Sequence, residues 1–445
     1  MLDLTKGKES IVILKFAIPM LLGNLFHQLY QIVDSIIVGN ILGKEALAAV
    51  GASFPIIFAL VSLVMGLSIG FSIIISQYFG AKNYKNVKKS IDTMLISLFF
   101  AAIAITIIGI SLSGPIFRLL QLPKEIIPAA KTYLNIFLSG AVLLFGFSGI
   151  NSILRGLGDS KTPLYFLIFS TLLNIALDLI FIIIFKWGIA GAAYATIISQ
   201  GCALVIAIIY LNRTHKLIHI SLKNLHFEKY IFKKGLQIGL PSGIQQTFVA
   251  IGMMSLFGIV SSFGTDVIAA YTAAGRINNL VTIPAMNFAA ALSTFTAQNI
   301  GAKKFGRVKK GYMSTLLMSS ISCVFITIII ILFGKTFMGM FTSDANVIEI
   351  GAKYLAIVSS FYLLFSTMFT TNGVIKGAGA TLIPMFITLL SLWIIRIPVA
   401  YFLSGKIGYT GIWWSIPIGW SVGMSGSLIY YFSGKWKKKV VIKDD

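Results

Sequence analysis

Long apolar runs, separated by short and mostly basic segments, restrict the fold of this chain more than any other feature. A helix that crosses a bilayer needs about 20 apolar residues, and run after run in this sequence reaches that length. Only 11% of the 445 residues are charged and 57% are hydrophobic, whereas soluble domains are about 25% charged. The pattern therefore predicts an all-α, polytopic membrane protein.

Twelve apolar stretches are candidate transmembrane helices. They lie near 11–39, 46–77, 91–113, 125–152, 163–186, 189–211, 232–262, 267–298, 312–334, 346–372, 382–405 and 409–432. The first run is too long for the core of a signal peptide, and no small-residue cleavage pattern follows it. We therefore expect the N-terminus to be retained. Pro19 and Pro241 fall early in the first and seventh spans, where a kink is expected.

The distribution of Lys and Arg predicts the orientation of the chain. With the N-terminus in the cytoplasm, most of the 36 basic residues fall in segments on the cytoplasmic side, as the positive-inside rule requires. An even number of spans puts both termini inside, and we expect a multi-pass protein of the inner or plasma membrane. The net charge of +22 then reflects cytoplasmic loops. We expect no nucleic-acid partner, because the basic residues are spread between the spans.

The two halves of the sequence match at a shift of 221 residues. The segment "YFGAKNYKNVKKS" corresponds to "NIGAKKFGRVKKG", and "NSILRGLGDSKTP" corresponds to "NGVIKGAGATLIP". Separate blocks that keep one offset indicate an internal repeat, and six spans in each half make this repeat parallel. We predict an N-terminal six-helix lobe over 1–211, a cytoplasmic linker over 212–231, a C-terminal six-helix lobe over 232–434 and a basic cytoplasmic tail over 435–445.

Two carboxylates lie well inside the apolar spans, Asp34 in "QLYQIVDSIIVG" and Asp178 in "TLLNIALDLIFIIIF". Asn174 precedes Asp178 by four residues and shares its helix face, and Thr196 reaches a similar depth on the sixth span. Oxygen ligands of these types suit a hard cation such as sodium. Two neighbouring carboxylates in a low dielectric also favour binding of a proton. The four residues predict a site for Na⁺ or H⁺; the alternative is a polar cluster that fixes helix packing.

The repeat argues against the packing alternative. At the 221-residue offset, Ser255 and Val399 occupy the positions of Asp34 and Asp178. A carboxylate that served helix packing alone would be expected in both halves. Because ionisable groups inside transmembrane spans are functional hypotheses by default, we predict the cation site in the N-terminal half only.

The second half carries two arginines inside predicted spans, Arg276 and Arg396. Together with Gln245 and Asn278 they are candidates for lining a substrate cavity. The alternative for the arginines is hydrogen bonding to backbone carbonyls that nearby prolines leave free. For the amides, the alternative is hydrogen bonding between helices. The residues alone leave these alternatives open.

Motifs of soluble catalysis are absent from the sequence. There is no G-x-x-x-x-G-K-[ST] phosphate loop, no H-E-x-x-H zinc motif and no G-x-S-x-G nucleophile motif. We therefore expect a protein that is not an enzyme and that has no cofactor apart from a coupling ion.

Several of these segments resemble those of the multidrug and toxic compound extrusion (MATE) transporters. The resemblance is carried by "VDSIIVG", "LNIALD", "GIAGAAYATIISQ" and the paired loops "GAKNYKNVKK" and "GAKKFGRVKK", and it covers nearly the whole chain. The tyrosine one turn before the aspartate of the first span, here Tyr30, is a feature in which the chain resembles the prokaryotic DinF-like branch. The resemblance implies a V-shaped pair of six-helix lobes and drug efflux driven by the entry of protons or sodium ions.

The resemblance also implies roles for individual residues. The family's cation site falls on Asp34, Asn174, Asp178 and Thr196. A span-one proline implicated in helix bending falls on Pro19, which makes Pro19 and Tyr30 candidates for gating by the first helix.

The resulting expectation is a monomer in the lipid bilayer that exports amphipathic, cationic organic compounds by alternating access. A flippase or exporter of lipid-linked precursors or metabolites, from the same superfamily, is the nearest alternative. A channel or a membrane-embedded enzyme is the alternative from another class.

Overall fold

The computed structural model describes residues 2–119, 122–123, 125–214, 220 and 225–442. These residues form helices with short connections, and no β-strand occurs among them. The predicted all-α fold is confirmed. Parts of the predicted linker, 215–219 and 221–224, and the end of the predicted tail, 443–445, lie outside the described residues.

Seven helices occupy the first half of the sequence as far as it is described. They are α1 (Glu9–Ile37), α2 (Lys44–Gly80), α3 (Tyr84–Leu119), α4 (Ile127–Ser139), α5 (Ala141–Gly156), α6 (Lys161–Leu179) and α7 (Ile189–Thr214). A π-helical turn, Val38–Leu42, continues α1, and a second one, Ile180–Ile184, continues α6. Such turns interrupt regular helices and are frequent at functional sites.

Eight α-helices follow in the described part of the second half. They are α8 (Lys229–Ser261), α9 (Thr265–Gly301), α10 (Phe305–Gly339), α11 (Ala345–Ser359), α12 (Tyr362–Gly377), α13 (Leu382–Leu389), α14 (Ile397–Ile407) and α15 (Thr410–Phe432). A π-helical turn, Leu390–Arg396, joins α13 to α14. Asp344 caps α11, because its carboxylate accepts hydrogen bonds from the backbone N–H groups of Asn346 and Val347.

Nine helical spans in the described part of the chain are long and apolar enough to cross a membrane. Two bent pairs, α4 with α5 at 53° and α11 with α12 at 49°, raise the number to 11 if each pair is one span. The first bend lies at Gly140, where a Cβ atom would be 2.4 Å from the Ile197 side chain. Helix α15, 23 residues long, coincides with the twelfth predicted span, and the total of twelve stays a prediction.

The chain divides into two compact units. The first unit contains Leu22–Ile244, and the second contains Asp3–Leu21 together with the chain from Gln245 onward. Both divisions therefore fall inside helices, α1 and α8. The predicted lobe boundaries come from the sequence repeat, whereas the two units are defined by contacts between residues. The lobe boundaries therefore stay predictions.

Polar contacts attach the stretch before α1 to the second unit. The Arg307 guanidinium donates to the Gly7 carbonyl at 2.8 Å and pairs with the Glu9 carboxylate at 3.2 Å. Leu4 is fully buried, and its carbonyl accepts a hydrogen bond from Asn299 at 3.1 Å. Hydrogen bonds that involve a charged group are the stronger ones, so these contacts fix the start of α1 within this unit.

The backbone of each unit repeats at the offset found in the sequence. Left-handed conformations recur at three pairs of corresponding positions: Gly43 and Gly264, Lys82 and Lys303, Gly158 and Gly379. The two lysines have φ of 57° and 58°, which is uncommon for residues other than glycine. The repeated sequence blocks therefore build the same turns in both units.

Close helix packing repeats as well. A Cβ atom at Gly156 would lie 3.0 Å from the Ser72 carbonyl oxygen, and one at Gly377 would lie 2.4 Å from the Ser293 carbonyl oxygen. Small residues allow helices in membranes to approach this closely. The pairs correspond at the 221-residue offset, so α5 packs on α2 in the first unit as α12 packs on α9 in the second.

Candidate cation site

The polar residues predicted for the first half come together on three helices of the first unit. Tyr30 and Asp34 are one turn apart on α1, and Asn174 and Asp178 are one turn apart on α6. A spacing of four residues puts both members of each pair on one helix face. Thr196 lies near the start of α7.

Helix α7 runs close to the end of α6. A Cβ atom at Gly191 would lie 3.1 Å from the Cβ atom of Phe181, so a glycine permits the close approach of these two elements. As a result, the Asn174 side-chain amide lies 3.5 Å from the Thr196 hydroxyl. The hydroxyl itself donates to the Ala192 carbonyl at 3.1 Å.

The Asn174 amide links α6 to both neighbouring helices. With its nitrogen facing the acceptors, it donates to the Tyr30 hydroxyl at 3.1 Å and to Asp178 Oδ2 at 2.9 Å. Its oxygen then accepts from the backbone N–H of Thr196 at 3.1 Å. This orientation is assigned from the hydrogen-bond network, as is usual for asparagine. Asn174 thereby orients one oxygen of the Asp178 carboxylate.

The carboxyl groups of Asp34 and Asp178 lie side by side, close enough for a hydrogen bond when one of them carries a proton. Asp178 is fully buried, and its Oδ1 atom has no hydrogen-bond donor among the described residues. Neither aspartate forms an ion pair with a basic residue among the residues that the structure describes. Because a buried carboxylate without a positive partner costs several kcal/mol, the arrangement is suited to bind a proton or a metal cation.

Tyr133 on α4 borders the same site, and no motif in the sequence points to it. It is buried and lies within electrostatic range of both aspartates. The repeat offers the one available signal, because Tyr354 occupies the corresponding position of the second half. Because the tyrosine occurs in both halves whereas the ionisable residues around it differ, sequence comparison of the halves could have identified Tyr133 as a candidate site residue.

Pro19, the predicted bending residue, is buried inside α1. The helix continues through it from Glu9 to Ile37. Since proline has no N–H to donate, the Lys15 carbonyl lacks its usual helical partner. The gating roles of Pro19 and Tyr30 stay predictions.

The two amides predicted for a substrate cavity are engaged within the second unit. Gln245 donates to the Thr388 hydroxyl at 2.6 Å and accepts from Lys376 at 3.0 Å. The Asn278 side-chain oxygen accepts from the Tyr362 hydroxyl at 3.0 Å. These contacts join helices of the second unit, and a contribution to a substrate cavity stays a prediction.

The two predicted arginines differ in their surroundings. Arg276 is exposed, whereas Arg396 is only 8% exposed. Arg396 makes no hydrogen bond to a backbone carbonyl in the described chain; its Nη1 atom lies 3.9 Å from the Met253 sulfur. A cavity of about 600 Å³ lies between α8 and α14 of this unit. Ser255, the counterpart of Asp34, lines that cavity, but neither arginine does.

A sequence profile of the MatE family matches residues 19–180 and 241–402. This chain belongs to the MATE family. The two matched stretches are equally long and begin at Pro19 and Pro241, so their starts differ by one residue from the 221-residue offset of the repeat. Members of the family are transporters, so this MATE protein is a membrane transporter. Its assignment to the DinF-like branch stays a prediction.

Relatives of this MATE protein are similar over nearly their whole length. "Probable multidrug resistance protein YpnP" of Bacillus subtilis (strain 168) is 34% identical over 436 residues, which cover 98% of this chain and 97% of the relative. A solved "Outward-facing conformation of a multidrug resistance MATE family transporter of the MOP superfamily" has a TM-score of 0.91 at 26% identity and covers 98% of both chains.

A second solved structure is a MOP superfamily transporter from Pyrococcus furiosus. Its TM-score is 0.89 at 26% identity, and the match covers 99% of this MATE protein and 98% of that chain. That structure is described with the words "Reverse polarity of binding pocket suggests different function".

Proposed function

We propose that this MATE protein is an antiporter that exports amphipathic, cationic organic compounds in exchange for protons or sodium ions. The observation that carries the proposal is Asp178, fully buried beside Asp34 with one carboxylate oxygen that accepts no hydrogen bond among the described residues. The name of the 34% identical Bacillus relative, a probable multidrug resistance protein, supports organic compounds as substrates.

The coupling site consists of Asp34, Asn174, Asp178 and Thr196, and it takes up its cation from the external side. Either ion suits it, because the adjacent carboxyl groups can share a proton and the carboxylate, amide and hydroxyl oxygens are ligands for sodium. The protein is a monomer in the inner or plasma membrane, with both termini in the cytoplasm.

Cation binding changes the contacts of α1 through Asn174. The amide donates at once to Asp178 and to Tyr30 of α1, and a neutralised Asp178 is the weaker acceptor. The contact that anchors α1 therefore depends on the charge of Asp178. Bending of α1 at Pro19 accompanies this change, and export requires the cation and the compound to bind the two conformations with different affinities.

The membrane potential adds to the driving force of this exchange when more positive charge enters with the coupling ions than leaves with the exported compound. For each net positive charge that crosses the membrane completely, the potential contributes about 2.3 kcal/mol per 100 mV. An electrically negative cytoplasm thus favours entry of the coupling cation.

A second candidate is export of an anionic lipid-linked precursor or metabolite. It is favoured by the buried Arg396, since arginine is suited to recognise phosphate and carboxylate groups. The description of the Pyrococcus transporter, which speaks of reversed pocket polarity and a different function, is a further argument for this alternative.

The decisive experiment is Asp34→Asn in purified protein reconstituted into liposomes. We expect export of ethidium to lose its dependence on an imposed sodium or pH gradient, while the variant is inserted in normal amounts. Ser255→Asn, at the corresponding position of the second half, is the matched control and should leave gradient-driven export unchanged. Wild-type export by Asp34→Asn under both gradients would contradict the proposed coupling site.

The same liposomes separate the two candidate functions. An antiporter of organic cations moves ethidium and leaves a fluorescent anionic lipid in its leaflet. A flippase gives the opposite result.

A further inference from the structure

The Arg396 side chain is a buried cation without an anion. It ends the π-helical turn before α14 and is 8% exposed. Its Nε atom has no acceptor among the described residues, and the partner of Nη1 is the Met253 sulfur at 3.9 Å. Gly419 of α15 lies against the stem of the side chain, since a Cβ atom there would be 3.2 Å from the Arg396 Cβ atom. The guanidinium is thus held in place but not neutralised.

A second buried donor lies in the same region of the second unit. Trp413 is fully buried, and its Nε1 atom has no acceptor in the described chain. Its ring stacks on Tyr271 at a centroid distance of 5.6 Å and meets Tyr354 edge to face at 4.9 Å. Arg396 lies within electrostatic range of the same two tyrosines. Arg396 and Trp413 therefore lie in the neighbourhood of the same two tyrosines.

Two buried donors of this kind are costly unless something accepts their hydrogen bonds. A buried charge is normally paired, and a buried N–H normally finds an acceptor. No carboxylate forms an ion pair with Arg396 in the part of the chain that the structure describes. Water could accept the hydrogen bonds but would not neutralise the charge. An anion does both.

We propose that Arg396 and Trp413 form a binding site for one monovalent anionic group in the second unit. The single guanidinium sets the charge at minus one, and the aromatic surroundings favour an anion without a polar body, either a halide ion or an aromatic carboxylate. The site is on the other unit from Asp34 and Asp178, so it does not depend on the proposed coupling mechanism.

Thermal denaturation of the full-length protein in detergent tests the proposal, with sodium chloride and sodium benzoate as separate probes. Each is titrated at constant ionic strength against sodium gluconate, whose polyhydroxylated body does not suit the aromatic surroundings. Because a ligand that binds the native state stabilises it, we expect Tm to rise and to saturate with at least one probe. Trp413→Phe keeps an aromatic side chain, smaller than indole, and removes the N–H, which should weaken binding about tenfold. Arg396→Met should abolish the rise.

Lys335→Gln is the matched control, because it removes an exposed positive charge from the same unit and should respond like the wild type. A response to chloride alone assigns the site to a free halide, and a response to benzoate alone assigns it to an organic carboxylate. The proposal is overturned if neither probe raises Tm saturably, or if Arg396→Met responds like the wild type. If Arg396→Met does not fold, an unchanged half-saturating concentration in Trp413→Phe overturns it.

Discussion

Tyr133 and Tyr354 occupy corresponding positions of the repeat, yet the residues around them carry opposite charges. Tyr133 in the first unit lies within electrostatic range of Asp34 and Asp178. Tyr354 in the second unit lies within range of Arg396. Both tyrosines are buried, so each unit places ionisable groups beside a tyrosine in its interior, with acids in one case and a base in the other.

The difference teaches which parts of a duplicated helical unit are constrained by packing. The turn at Lys82 recurs at Lys303, and the close contact of Gly156 recurs at Gly377, because backbone conformation and helix distance depend on them. The charged residues beside the two tyrosines do not recur, since Arg396 corresponds to Ile175 and Asp178 corresponds to Val399. A few side chains can therefore change the charge beside the tyrosine of a unit without altering its fold.

The largest effect is expected from Asp178→Asn, which removes the buried acid of the first unit. Ion-dependent export should fall about 100-fold, at the upper end of typical coupling energies. The measurement is dye efflux from liposomes under an imposed sodium or pH gradient. Adding Val399→Asp at the corresponding position of the second unit should not restore export. No counterparts of the neighbouring acid, amide and hydroxyl of the first unit are present around that position. Recovery in the double variant would show that the units are interchangeable.

Arg396→Met tests whether the buried positive charge of the second unit lowers the stability of the protein. In a buffer with gluconate as the main anion, we expect the free energy of unfolding to increase by about 1–4 kcal/mol, because an apolar residue replaces a buried unpaired charge. Ile175→Met, at the corresponding position of the first unit, should change stability little. A lower denaturation midpoint for Arg396→Met than for the wild type would mean that the guanidinium is already compensated.

Asn174→Leu tests the hydrogen bonds of the first unit. Asp178 and Tyr30 both lose a donor, and the half-saturating concentration of the coupling ion should rise about tenfold. Ile395→Leu, the corresponding change in the second unit, serves as control and should leave that concentration unchanged. Equal effects of the two changes would contradict the assignment of the cation to the first unit.

The smallest effect is expected from Thr196→Val, which removes one ligand oxygen and keeps the side-chain shape. We expect the affinity for sodium to fall about fivefold and pH-driven export to stay unchanged. Thr196→Ser retains the hydroxyl and should behave like the wild type. The comparison of sodium-driven with pH-driven efflux in the three proteins tests whether Thr196 contributes a ligand, and a loss of pH-driven export alone would contradict that role.

Much of the candidate site was predictable because its spacing is local. Asn174 and Asp178 share a face through a four-residue interval, and Asp34 stands out as a charge within an apolar span. The sequence could not indicate that Gly191 brings α7 against Phe181, or that the Asn174 amide joins Tyr30 to Asp178. The contact with Tyr30 connects helices that are far apart in the chain, and the approach of α7 to Phe181 depends on the path of the turn between these consecutive elements.

The amino-acid sequence by itself determined the all-α membrane fold, the two-fold repeat and the family, because apolar run length, offset and motif spacing are properties of the chain alone. The tertiary structure decided which buried groups have partners. It left Asp178 Oδ1, Arg396 Nε and Trp413 Nε1 unpaired within the described chain, and it assigned Asp3–Leu21 to the second unit. The physical reason is that hydrogen bonding and burial depend on how helices pack, and packing joins residues that no local pattern relates.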